Sequence, residues 1–349
     1  MAATFTTTKQ ISPNEETEAN EPYFAIYNNN FSEILGATPC LTVEVEKDFQ
    51  FAHEAGIYVP SEDTIYVTSN KLVSEDSQAI IVGAVRREYG KFRYEEIHPN
   101  VTMGNGGTNY HDDGLLFCDQ GNRTRPSGIK LVRPVPPYDT QTLISSYRGV
   151  PFNSPNDVVV RSDGSIWFTD PIYGSEQGFR GAPQLPNQVY RFDPATGDVR
   201  VVADGFGRPN GLAFSPDEQT LYITDTNAIH GNNTMDPTRA STIYAFDVKT
   251  ISGSSFLVNR RLFAFPDTGH PDGIKCDLAG NVYSGCGDGI NVWSPGGILI
   301  GKLIIPGGIA NFCFGRPGEI FILGETKFWL AKISDKVQGA LLAGMGIAV

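Results

Sequence analysis

The sequence predicts an all-β fold, a six-bladed β-propeller. Three observations carry that reading: one phrase recurs six times, its copies stand one blade apart, and the composition favours strands and turns over helices. The phrase is a small or polar residue, a short apolar run, a turn and a second apolar run. Its copies are Glu54-Ala-Gly-Ile-Tyr-Val with Thr64-Ile-Tyr-Val, and Gly106-Gly-Thr-Asn-Tyr with Gly114-Leu-Leu-Phe. Then come Asn156-Asp-Val-Val-Val with Gly164-Ser-Ile-Trp-Phe, and Asn210-Gly-Leu-Ala-Phe with Thr220-Leu-Tyr-Ile. The last two are Asp272-Gly-Ile-Lys-Cys with Gly280-Asn-Val-Tyr, and Asn311-Phe-Cys-Phe with Gly318-Glu-Ile-Phe. Successive copies lie roughly 40 to 60 residues apart, room for the four strands of a blade. The 349 residues include 38 Gly, 23 Pro, 21 Phe and 14 Tyr, which suits many short strands joined by turns.

Each element follows from local chemistry. Ser162-Asp163-Gly164, Ser215-Pro216-Asp217 and Asp277-Leu278-Ala279-Gly280 mark hairpin turns. Gln188-Val-Tyr-Arg-Phe, Val199-Arg-Val-Val, Thr242-Ile-Tyr-Ala-Phe and Arg261-Leu-Phe-Ala-Phe read as outer strands of blades. The expected organisation is a polar N-terminal tail over 1–20, one propeller domain over 21–335 and a C-terminal tail over 336–349. Glu21-Pro-Tyr-Phe-Ala-Ile-Tyr is expected to add an outer strand to the last blade and close the ring. The apolar tail from Gly339 is expected to pack loosely on the surface.

Composition narrows the function. With 40% hydrophobic and 19% charged residues the chain reads as folded. A net charge of −12 repels phosphate backbones and anionic membranes, so no nucleic-acid or membrane partner is expected, and divalent cations are suitable partners. No run reaches the eighteen or so apolar residues of a membrane helix. The N-terminus carries no apolar stretch of a secretory signal, which points to the cytoplasm. The five cysteines (Cys40, Cys118, Cys276, Cys286 and Cys313) have no zinc-ligand spacing and read as free thiols. Oligomeric state is not legible.

The first residue of each phrase starts an innermost strand, and in a propeller these starts converge on one end of the central channel. The six positions read Glu54, Asn105 or Gly106, Asn156, Asn210, Asp272 and Asn311. Singly, Asn and Asp are turn formers; together they place carboxylates and amides at one point. Such an oxygen-rich set suits Ca²⁺ or another divalent cation, whereas no His or Cys cluster favours zinc or copper. No Ser or Cys nucleophile with a His partner stands in the ring, so metal-assisted hydrolysis is the chemistry the set supports.

Longer motifs extend this. Ser154-Pro-Asn-Asp-Val-Val-Val-Arg-Ser-Asp-Gly-Ser-Ile-Trp-Phe-Thr-Asp-Pro-Ile-Tyr-Gly174 resembles the signature of the gluconolactonase and senescence marker protein (regucalcin) family. Arg208-Pro-Asn-Gly-Leu-Ala-Phe-Ser-Pro-Asp217 and His270-Pro-Asp-Gly-Ile274 are similar to its other site motifs. His53-Glu54-Ala-Gly-Ile-Tyr-Val-Pro60 and Gly104-Asn-Gly-Gly-Thr108 look most like the fungal aldonolactone and pantolactone hydrolases.

The resemblance implies a six-bladed propeller with a divalent ion, usually calcium, held by Glu54, Asn156, Asn210 and Asp272. It implies a small-molecule lactone as substrate, its carbonyl polarised by the ion. Asp272 is then the expected general base or nucleophile, and Glu54 a structural ligand. Asn105, Thr108 and Tyr173 are candidate substrate contacts. Asn105 stands where some relatives carry a His. His53 is expected behind the site, His270 near its mouth, His230 on the surface, and Asp170 and Asp225 as turn caps. The alternatives are an arylesterase or phosphotriesterase, a cyclase of secondary metabolism, or a binding platform without catalysis.

Overall fold

In the structure, a computed structural model, residues 3–12, 15, 20–74, 77–111 and 114–347 are described. They form six antiparallel blades, and the innermost strand of each packs on that of the next, the sixth meeting the first. From inside outward, blade 1 runs Glu54–Val59, Thr64–Thr68, Val82–Glu88 and Lys91–Ile97, and blade 2 runs Gly104–Tyr110, Gly114–Asp119, Gly128–Val132 and Thr140–Ile144. Blade 3 runs Val158–Val160, Ile166–Asp170, Gln188–Phe192 and Val199–Ala203; blade 4 runs Pro209–Phe214, Thr220–Asp225, Thr242–Ile251 and Ser254–Ala264. Blade 5 begins with Ile274–Cys276, Val282–Cys286, Gly289–Trp293 and Leu299–Ile304, and blade 6 with Asn311–Phe314, Glu319–Gly324 and Lys327–Lys332.

The hydrophobic core lies between blades. Val159 and Trp167 of blade 3 pack with Leu212 and Phe214 of blade 4, and the Trp167 and Phe214 rings meet edge to face. The turns form as their residues require. Between Val160 and Ile166 the Asp163 carboxylate accepts from the Ser165 backbone N–H, and Gly164 takes a φ of 81°, open to glycine at little cost.

The ring is closed by a strand other than the expected one. Cys40–Glu46 is the outer strand of blade 6, paired with Lys327–Lys332. The Tyr23–Ile26 segment joins blade 5 instead, against Leu299–Ile304. The helix Asn29–Leu35 decides this, because it carries the chain from one blade to the next. Asn28 caps its N-terminus, and Phe31 buries fully against Gly301, where a Cβ would collide with the ring. Arg87 adds a second clasp between blades 1 and 6, its guanidinium forked onto Asp63 and Glu319 at 2.7–2.9 Å.

Described residues near both ends form regular structure; 1–2, 13–14, 16–19 and 348–349 of the expected tails lie outside the described residues. Thr4–Phe5 pairs with the closing strand and Thr8–Gln10 runs parallel to Tyr23–Ile26. The C-terminal helix Ala340–Gly344 docks beneath the ring rather than lying loose on the surface. Ala340 joins the core at Cys276, Leu341 packs at Val159 and Phe214, and Leu342 packs with Tyr58 and Cys313. Leu342 is 6% exposed, so Leu342→Ala is expected to cost about 2 kcal/mol, read as a lower urea midpoint at unchanged slope.

Candidate active site

Three repeated devices build the site. In blades 1, 2 and 4 the innermost strand slips register near its start, between Ala55 and Ile57, Gly104 and Gly107, and Pro209 and Leu212. A bulge re-aims side chains, here at Glu54, Asn105 and Asn210. A threonine at the end of the second strand then fixes the next blade's site residue. Buried Thr68, Thr169 and Thr224 donate to the backbone carbonyls of Asn105, Asn210 and Asp272 at 3.0, 2.7 and 3.0 Å. A following aspartate caps the entering loop: Asp170 accepts from the Asn153 and Ser154 N–H groups, and Asp225 from those of Gly207 and Arg208. Asp119 serves the same way in blade 2, at Thr102 and Met103. The turn-cap reading of Asp170 and Asp225 holds. Close approach of neighbouring strands needs glycine at Gly106, where a Cβ would stand 2.5 Å from the Asn156 carbonyl oxygen.

Glu54, Asn105, Asn156, Asn210 and Asp272 line one cleft at the channel mouth. Asn311, the sixth strand start, lies buried and donates from Nδ2 to Glu54 Oε2 at 2.7 Å. Tyr173 also lines the cleft, from the short helix Tyr173–Glu176, with its hydroxyl held by Thr226 at 2.5 Å. It is a wall whose polar end is engaged, not a free donor to substrate. Thr108 is not in the cleft. Three residues beyond Asn105, about 10 Å along the strand, it faces the cavity at the opposite end of the channel.

His270 lines the cleft at its mouth, as expected, while His53 and His230 stand closer to it than the sequence reading places them. Both also line it. His53 Nδ1 pairs with Glu325 at 2.7 Å, because His53 precedes the inner strand and escapes its alternation. His230 is held by Arg208 at 2.7 Å, and Arg208 is itself salt-bridged to Glu176. That network ties the Gly-Asn loop down over the cleft, where a surface position was expected.

Electrostatically the cleft holds more negative charge than its walls accommodate. Burial, then the Asp272 charge, pushes the Glu54 carboxyl up to about 8. Asp272 is raised by burial, against the pull of His270 and His53 and a hydrogen bond from Asn210. Burial opposes protonation of His53, but Glu325, Glu54 and Asp272 outweigh it and carry His53 up to about 10. Beneath them Asp157, also raised by burial, faces Lys275 at 3.9 Å. Neither Asp157 nor Lys275 figured in the sequence reading, although each directly follows or nearly follows a site residue.

The donor set fits a hard cation. The side-chain oxygens Asn105 Oδ1, Asn156 Oδ1 and Asp272 Oδ1 are buried without a hydrogen-bond partner. Buried polar atoms are normally satisfied, so a shared orphaning of three oxygens in one cleft is a feature of ligand sites. Among the described residues no three His, Cys, Asp or Glu side chains gather as a metal-binding group. The set here depends instead on amide oxygens beside two carboxylates, which suits Ca²⁺ better than softer metals.

The chain matches the family model described as SMP-30/gluconolactonase/LRE-like region over residues 103–323. It is 31% identical to the lactonohydrolase oryL of Aspergillus oryzae over 354 residues, covering 93% of this chain and 77% of that protein. It is 28% identical to the gluconolactonase of Zymomonas mobilis, covering 64% of this chain and 61% of that one. Among solved structures, a gluconolactonase from Xanthomonas campestris superposes with a TM-score of 0.70 at 26% identity, over 88% of this chain and 94% of that one. A six-bladed ring, a carboxylate–amide cleft at its mouth and these matches together make the chain a member of the SMP-30/gluconolactonase/LRE-like family.

Proposed function

We propose that this protein is a divalent-cation-dependent lactonase, with Ca²⁺ as the cation and a small lactone of the sugar, pantolactone or secondary-metabolite type as substrate. The observation that carries the reading is the cleft's combination of two buried carboxylates with unpartnered amide oxygens. The names of the relatives support the reaction class. Glu54, Asn156, Asn210 and Asp272 would hold the cation. Bound there, the cation supplies positive charge that polarises the ester carbonyl and keeps both carboxylates ionised.

The chain's own groups do the rest. Asp272 Oδ1 takes a proton from the attacking water as the new C–O bond forms at the carbonyl carbon. The ring C–O bond breaks, the proton passes to the departing alkoxide, and the product is a hydroxy acid. Glu54, fixed by Asn311, holds its place at the base of the cleft. Asn105 presents an amide to the substrate, and Tyr173 with the Glu176–Arg208–His230 network excludes water from one side.

Two measurements test this. Hydrolysis of a panel of sugar lactones, pantolactone and aromatic lactones is expected to stop with chelator and return with calcium. Elemental analysis of active protein is expected to find about one calcium per chain; one zinc and no calcium would overturn the cation assignment.

A further inference from the structure

The channel has a second end. The C-terminal helix Ala340–Gly344 roofs it and leaves a narrow cavity between itself and the tails of the inner strands. Its walls are largely apolar: Val158, Val160, Phe214, Cys313, Leu341 and Met345. Ser162, Ser215 and Glu218, from the hairpin turns of blades 3 and 4, also line it.

Two polar groups in this wall have unmet chemistry. Lys275 is ion-paired with the Asp157 carboxylate at 3.9 Å, a separation that leaves its ammonium donors open to a second acceptor. An ammonium carries three donors, and in an apolar wall it gains strongly from a bonded anion. The Thr108 hydroxyl, in a side chain 3% exposed, has no hydrogen-bond partner. Glu218 does not meet this need, since its carboxylate is held by Ser162 and lies 3.4 Å from Arg161. A mainly apolar cavity with a few convergent polar groups is the usual form of a small-molecule site.

We propose that the distal end of the channel is a second binding site, for a slender apolar carboxylic acid. Its carboxylate meets the Lys275 ammonium and the Thr108 hydroxyl, and its chain lies along Val158, Phe214 and the C-terminal helix. This site is separate from the cleft and does not depend on lactone hydrolysis.

The probe is octanoate, titrated calorimetrically into the full chain in the presence of chelator and without lactone. The expected result is one octanoate per chain, with 1-octanol bound at least tenfold more weakly. Lys275→Met keeps the apolar stem and removes the charge; it is expected to lower octanoate affinity at least tenfold and to leave octanol unchanged. A measurement on the unaltered chain stands beside it. Octanoate is expected to slow modification of Cys276 and Cys313, which line the cavity, by a small thiol reagent several-fold more than that of Cys118 and Cys286, which do not. No binding, equal octanoate affinity in Lys275→Met, or equal protection of all four thiols would each overturn the proposal.

Discussion

Asp272→Asn is expected to lower lactone turnover by about 10² to 10⁴-fold while the protein stays folded. The substitution preserves the side chain's size and one of its oxygens, so the cleft keeps its shape. What it removes is the group that can take a proton from water. Asp272 sits just before the inner strand Ile274–Cys276, its backbone N–H bonded to the Gly285 carbonyl and its own carbonyl held by Thr224, so the backbone has no reason to move. Both kcat and kcat/KM should fall together, as for an interaction made in the transition state. Near-normal turnover would take Asp272 out of the reaction. Glu54→Gln is expected to act differently: it weakens cation binding first, and excess calcium restores part of the activity.

Melting the protein with calcium and with chelator, at pH 8 and pH 6, should give four different temperatures. A ligand that binds only the closed ring stabilises it by about 2.7 kcal/mol at a hundredfold excess over Kd. The pH arms follow from Glu54. Its folded value, about 8 without a cation, lies above the ordinary 4.5 of the unfolded chain. A group raised in this sense binds its proton better when folded, so stability grows as pH falls from above 8 towards 4.5. The chelated protein should therefore gain on the order of 2 kcal/mol between pH 8 and pH 6. His53, raised to about 10, acts in the same sense, its contribution complete below its ordinary 6.5. The calcium-loaded protein should gain less or lose, because protons compete with the cation for Glu54 and Asp272. Four identical melting temperatures would mean that the strand starts hold no cation.

The ring was legible because each blade repeats its own chemistry. Asn156, Asn210 and Asp272 announce an inner strand by standing before an apolar run, and the Thr-Asp pairs at Thr169 and Thr224 announce the end of the next strand. Features without such a repeat were not legible. Which early segment closes blade 6 depends on the Asn29–Leu35 helix and on the fit of Phe31 at Gly301, a contact between residues distant in sequence. The C-terminal helix is too short for its apolar face to show as a period, and its destination is the shape of the channel's far end. His230 reached the cleft through Arg208 and Glu176, partners that spacing does not reveal. Thr108 was misplaced because proximity along a strand was read as proximity in the site.

The closing strand has a consequence for how the protein comes to exist. Cys40 pairs with Lys332, so the closing strand waits for a partner that is synthesised much later. At 5–20 residues per second that wait is about 15 to 60 seconds. Throughout it Cys40–Glu46 lacks its long partner and has only the two-residue Thr4–Phe5 beside it, and such open edges recruit other chains. Its residues answer this: Glu44 and Glu46 stand in the middle and at the end of the strand, where their charge discourages stacking of one nascent chain on another. Closure of the last blade then ties together residues that span most of the sequence, and folding of this kind is slow because the long loop must be brought together before the contact repays it.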